Sequence, residues 1–130
     1  MQNKKIKILI IEDDSFLLGM YAAKFNLEKF EVILAEDGEK GLMLAFKELP
    51  DVILLDIFLP KKNGFDVLKE LKGDESAKKI PVILLTNLSQ KSEIEQGLSL
   101  GAADYLIKAH FMPSEVVEKV KKTLTLKSTN

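Results

Sequence analysis

Apolar and polar positions follow one another along this chain in blocks. Short aliphatic, β-branched runs occur at IKILII (6–11), VILA (32–35), VILLD (52–56), VILLT (82–86) and YLIK (105–108), five segments separated by polar stretches. Runs this short and this continuous predict strands buried on both faces. Between them apolar residues recur at helical spacing. Leu18, Tyr21, Ala22 and Phe25 share one face, as do Leu42, Ala45, Phe46 and Leu49, and further helices are predicted over 65–71, about 91–100 and 113–126. Asp37-Gly38, Asn63-Gly64 and Lys72-Gly73-Asp74 read as turns. Gly41 stands inside the second helix, where it costs about 1 kcal/mol relative to Ala.

Strand and helix alternating five times predict a single α/β domain over residues 1–130. Its architecture is a doubly wound, flavodoxin-like parallel sheet with five helices on its two faces, because right-handed crossovers put helices there. In such sheets ligands bind outside the carboxyl ends of the strands, where strand order reverses. The polar residues that close the apolar runs then fall on one edge: Glu12, Asp13 and Asp14 after strand one, Asp56 on strand three, Thr86 on strand four and Lys108 on strand five. With the order 2-1-3-4-5, the first acidic run and Asp56 meet at the switch point.

Composition narrows the chemistry that edge supports. There is no cysteine and one histidine, so a metal here is held by oxygen. All nineteen basic residues are lysine, and without arginine's bidentate fork a base-reading nucleic-acid surface is not expected. No apolar run reaches ~18 residues, and MQNKKIK leads directly into a strand rather than a signal-peptide core, so neither membrane insertion nor secretion is indicated and the cytoplasm is the expected location.

Several carboxylates brought together repel, and either one stays protonated or a hard cation compensates them. Mg2+ is the natural candidate for an oxygen-only site that shares a phosphate. A carboxylate also serves as a nucleophile toward phosphorus, provided positive charge screens both partners. Lys108 supplies such a charge, and the Thr86 hydroxyl is placed to donate to a phosphoryl oxygen. Taken singly, Asp13, Asp56 or Thr86 has an alternative reading as a helix N-cap, Lys108 as a surface lysine and Tyr105 as a half-buried aromatic. Asp14 is read as a helix-start residue beside the site and His110 as a solvated loop residue.

Taken together, IIEDD, LLDIFLP followed by Asn63-Gly64, LLT, and GAADYLIK resemble the receiver domain of two-component response regulators, similar to the single-domain chemotaxis regulator, from about Lys5 to Leu126. The resemblance implies that a histidine kinase, or a phosphotransfer protein downstream of one, donates a phosphoryl group to Asp56. It implies that Asp13, Asp56 and the backbone carbonyl of Phe58 ligate Mg2+, with Glu12 acting through a water on the metal. It further implies that Thr86 and Tyr105 switch the face formed by helix four, strand five and helix five. The protein is then not a conventional enzyme but catalyses its own phosphorylation and slow dephosphorylation, as a monomer or a phosphorylation-dependent dimer. Phe58 and Leu88, two positions after Asp56 and Thr86, are expected to flank the approach of a hydrolytic water in this fold, and both are apolar.

Other readings compete. An aspartate-nucleophile phosphohydrolase of the haloacid-dehalogenase type wants a second Asp where Phe58 stands. A flavin mononucleotide binder wants a glycine- and hydroxyl-rich loop where EDDSF stands. A pseudo-receiver would bind partners without phosphorylation, against the intact set of Asp13, Asp56, Thr86 and Lys108. The chain departs from the family pattern at Ala109, where most members carry a proline in a cis bond; a non-proline cis bond costs ~2.5 to 4 kcal/mol, so trans is expected.

Overall fold

The computed structural model describes residues 5–87, 91–108 and 112–128. Ten elements alternate: β1 (Lys7–Ile11), α1 (Ser15–Leu27), β2 (Glu31–Ala35), α2 (Gly38–Glu48), β3 (Val52–Asp56), α3 (Gly64–Lys72), β4 (Val82–Thr86), α4 (Lys91–Ser99), β5 (Asp104–Ile107) and α5 (Pro113–Ser128). The five strands form one parallel sheet in the order β2-β1-β3-β4-β5. No helix among the described residues is long and apolar enough to cross a membrane.

Strand alternation divides the core into two layers. Leu9, Ile11, Ile53 and Leu55 face α2 and α3, while Ile8, Ile10, Val52 and Leu54 face Tyr21 and Phe25 of α1 and Val116, Val117 and Val120 of α5. Every residue of the central strands β3 and β4 is buried. The edge strands are different: β2 exposes Glu31 and Leu34, and only Leu106 of β5 is fully buried. An edge strand has one neighbour and incomplete helix cover, so the expectation of burial on both faces holds only at the centre.

Two of the predicted turns are helix starts. The Asp37 carboxylate accepts from Lys40 N at 2.7 Å and the Asn63 carboxamide from Asp66 N at 3.0 Å, each satisfying an amide that the first turn leaves open. The predicted face of α2 is corrected. Leu42 and Ala45 are buried, but Phe46 is 41% and Leu49 is 49% exposed. Helix α2 covers the sheet margin beside β2, so its apolar stripe is wider than the sheet beneath it. Leu49 lies beyond the helix end, as a left-handed cap at φ 44°.

Gly41 is also more than a helix weakness. A Cβ at this position would lie 2.5 Å from Cδ1 of Ile11, a side chain fully enclosed in the core. Gly41→Ala therefore trades a propensity gain of about 1 kcal/mol for overpacking that costs about 1 to 3 kcal/mol. The expected result is a lower thermal midpoint, read by circular dichroism; a raised midpoint would show that Ile11 yields freely.

Candidate functional site

The carboxyl ends of β1 and β3 deliver the acids side by side. Ile11 pairs with Leu55, so Glu12, just past β1, and Asp56, the last residue of β3, stand side by side. Their carboxylate oxygens and one from Asp13 lie within 4.8 Å of one another. Glu12 is 0% and Asp56 5% exposed, whereas Asp13 is open to solvent. Asp14 is the N-cap of α1, its Oδ1 accepting from Phe16 N at 2.9 Å and Leu17 N at 3.1 Å, as a helix-start residue should.

Lys108 follows directly on β5 and crosses to these acids with a side chain only 5% exposed. Its Nζ sits 2.5 Å from Glu12 Oε1, an ion-pair contact rather than a well-directed hydrogen bond, and 3.1 Å from Asp56 Oδ2. The other Glu12 oxygen accepts from Asp14 N at 3.0 Å. Burial alone would lower the lysine pKa, but the Glu12 contact and the Asp56 charge outweigh it and hold the ammonium above its usual range. Asp56 is pushed from 3.8 up to about 7, first by burial and then by the Glu12 charge, with Lys108 opposing both. Three carboxylates against one ammonium leave the site short of positive charge.

The loop after β3 is braced to carry Phe58. Gly64 N donates to Ile57 O at 2.7 Å, Lys62 N to Pro60 O at 2.8 Å, and Gly38 N, at the start of α2, to Pro60 O at 3.2 Å. The approach is close: a Cβ on Gly38 would fall 1.8 Å from the Lys62 carbonyl oxygen, and one on Gly64 2.3 Å from that of Asp56.

These elements enclose a cavity of about 390 Å³ lined by Glu12, Asp13, Asp14, Leu17, Asp56, Phe58, Asn87 and Lys108. The structure thus brings together the acids, Phe58 and Lys108 named from the sequence. Thr86 is buried at the end of β4, beside the Lys108 strand through its pairing with Ile107. Tyr105 is half-buried against the core layer on the α2–α3 side and does not line the cavity. Leu88, Ala109 and His110 lie outside the described residues, and with them the expectations about water access at Leu88 and the peptide bond at Ala109.

Sequence reasoning missed Leu17, Asn87 and a role for Tyr21. Leu17 and Asn87 carry no motif; their only signal is to follow residues already assigned to the edge. Tyr21 was legible only as packing, yet burial raises its phenol pKa, with Lys108 opposing and Glu12, Asp56 and Asp14 adding to the rise, so it feels the site's charges from beneath.

The donor set fits a hard divalent cation. Among the described residues Glu12, Asp13 and Asp56 are the group able to hold one, the ligands are all oxygen, and the excess negative charge is what a cation relieves. An acidic cluster of the kind that binds Mg2+ in receiver domains is therefore present.

The family model for the response regulator receiver domain matches residues 8–121. The chain is 40% identical over 118 residues to the DNA-binding dual master transcriptional regulator RpaA of Synechocystis, covering 91% of this chain and 48% of that protein. It is 33% identical over 124 residues to the probable transcriptional regulator ycf27 of Porphyra purpurea, covering 95% and 49%. It thus spans about half the length of these relatives. Among solved structures it superposes on the receiver domain of the sensor histidine kinase PA1611 from Pseudomonas aeruginosa, with magnesium coordinated in that protein's active-site cleft, at TM-score 0.85 and 26% identity over 94% of this chain and 99% of that one.

Proposed function

The chain belongs to the response regulator receiver domain family, and on that premise we propose that Asp56 accepts a phosphoryl group from a histidine kinase or a phosphotransfer protein. The observation that carries the reading is the setting of Asp56. It ends a wholly buried strand, stands among carboxylates, and has the Lys108 ammonium 3.1 Å from one of its oxygens.

In the reaction an Asp56 oxygen attacks phosphorus, the bond to the donor's nitrogen or oxygen breaks, and an acyl phosphate forms. Lys108, held by Glu12, places a fixed positive charge where negative charge gathers on the phosphoryl oxygens, so little reorganisation is required. The Thr86 hydroxyl donates to one of those oxygens. Asp13, Asp56 and the Phe58 carbonyl would hold Mg2+, with Glu12 acting through a water, and the ion would supply positive charge against the acids and the phosphoryl group. Thr86 and Tyr105 then bias the α4-β5-α5 face between two populated states, and the phosphoryl group's differential contacts set the balance.

Intact-mass measurement after treatment with acetyl phosphate and Mg2+ tests the assignment. Wild type is expected to gain one phosphoryl mass and Asp56→Asn none; equal labelling of both sinks it. Mg2+ titration is expected to show weak binding to wild type and binding weaker by about tenfold or more in Asp13→Ala. An unchanged titration would remove Asp13 from the ligand set.

A further inference from the structure

The sheet ends on one side at β2. In a parallel ladder the N–H and C=O of one residue point to the same side, and successive residues alternate. Glu31 N donates to Ile6 O at 2.9 Å and Ala35 O accepts from Glu12 N at 3.0 Å, so Glu31, Ile33 and Ala35 turn their peptide groups to β1. Val32 and Leu34 therefore turn theirs outward, and among the described residues no strand pairs with that edge. Folded proteins usually blunt such an edge with proline, lysine or a bulge. In β2 the only charge is Glu31 at its start, and its unbroken register with β1 contains no bulge. The flanks are apolar as well: Leu34 is 36% exposed, and the stripe of α2 that overruns the sheet carries the exposed Met43 and Phe46.

This edge is complementary to itself. Two copies set antiparallel about a two-fold axis through Ile33 bring Val32 opposite Leu34 on both sides of the axis, and these are the residues whose donors and acceptors face outward. The same register sets Lys29, in the turn before β2, opposite Asp37, and Glu31 opposite Ala35. Sliding the copies by two residues either way spoils it. One slip sets Glu28 against Glu36 and calls on the Phe30 amide, which already donates to Phe25 O at 3.0 Å. The other sets Glu31 against Asp37, and like charges directly opposite are destabilising. A slip by one residue turns outward groups against inward ones. Hydrogen bonding and charge thus select one register.

We infer that the outer edge of β2 is a self-association surface, on which a second copy of this chain joins its sheet edge to edge, Val32 bonded to Leu34 and Lys29 facing Asp37. β2 lies at the opposite margin of the sheet from β5, so the pairing leaves the α4-β5-α5 face free and calls on no phosphoryl group.

Sedimentation velocity from about 1 to about 500 μM, a range that brackets the dissociation constants of small interfaces, tests the inference. Without any phosphoryl donor, wild type is expected to rise from the monomer to the dimer mass across the series. Leu34→Pro removes an outward donor at a position that gives no bond to β1, and Leu34→Lys places a charge on the edge while keeping the backbone donor. Each is expected to raise the dissociation constant on the order of tenfold or more, with an unchanged circular dichroism spectrum. Lys29→Glu, which sets like charges at both ends of the paired strands, is expected to raise it on the order of three- to tenfold, and more at low salt. Amide exchange at Val32 and Leu34 should slow at high concentration, while Ile33, already bonded to β1, should not change. A monomer at every concentration overturns the inference. So does a dimer that Leu34→Lys or Lys29→Glu leaves unchanged, or one whose new protection falls on another element.

Discussion

Phe58→Asn is expected to shorten the life of the phosphoryl group by on the order of ten- to a hundredfold. Phe58 is 56% exposed at the mouth of the cavity, two residues beyond Asp56, on a loop pinned by Gly38 and Gly64. If Asp56 carries the phosphoryl group, a ring in that position would obstruct a water approaching phosphorus and would offer it no hydrogen bond. An asparagine removes the bulk and adds a polar group, and positioning a nucleophile is the kind of effect that changes a rate by such factors. Phe58→Ala separates the two contributions, since it clears the path without orienting the water, and should fall between wild type and Phe58→Asn. Decay is measured after removal of acetyl phosphate. If all three proteins lose the label at one rate, Phe58 does not govern water access. The wild-type domain is accordingly expected to hold its phosphoryl group for long periods, in keeping with slow responses or a dedicated phosphatase.

The second large effect concerns stability and pH. In the folded, metal-free protein Asp56 holds its proton up to about 7, against 3.8 for an ordinary aspartate. Between those values the folded state binds a proton that the unfolded state does not, so stability falls as pH rises. This group's contribution is complete below about 4 and has gone once pH passes through about 7. Asp56→Asn removes both the burial of a charge and its repulsion from Glu12, while Lys108 keeps Glu12 as a partner at 2.5 Å. At pH 8 the variant is expected to be more stable than metal-free wild type by on the order of 2 kcal/mol, or roughly 5 to 10 °C in thermal midpoint. Between pH 8 and pH 5.5 the wild-type midpoint should rise toward that of the variant. Melts followed by circular dichroism in the presence of chelator decide the matter. A variant less stable than wild type at pH 8 would mean that the Lys108–Asp56 pair outweighs the cost of burying the acid.

How much of this was legible from residues alone depended on how many neighbours each element has. β3 and β4 are wholly enclosed, so their apolar runs begin and end where the strands do, at Val52–Asp56 and Val82–Thr86. At β2 and α2, on the sheet margin, apolar residues outnumber the places to bury them, and Phe46 and Leu49 were assigned to a face that is not covered. The acids and Lys108 were legible because charge at the end of an apolar strand is costly and asks for a reason. Asn87 and Leu17 were not, because an asparagine after a strand and a leucine in a helix are ordinary; only the fold turns them toward the same space. Gly41 was misjudged for a related reason. Helix propensity counts a residue's own backbone, whereas the case for glycine here lies in Ile11, thirty positions away in sequence.

Among the residues of α4, Gly97 alone is fully buried, with Leu84 of β4 directly beneath it. Beyond Gly97 only Glu93 and Ile94 of this helix are half-buried, so a slide or tilt uncovers less apolar surface than it would in a core helix and loses correspondingly less hydrophobic stabilisation. The fold therefore sets a largely buried floor, made of β1, β3 and β4 and ending in the acidic cluster, against a helix with few buried residues. If the proposed α4-β5-α5 face is the output surface, its switching has a natural thermodynamic scale. A few kilocalories per mole of differential contact with a phosphoryl group would then be enough to repopulate such a helix without deforming the sheet beneath it.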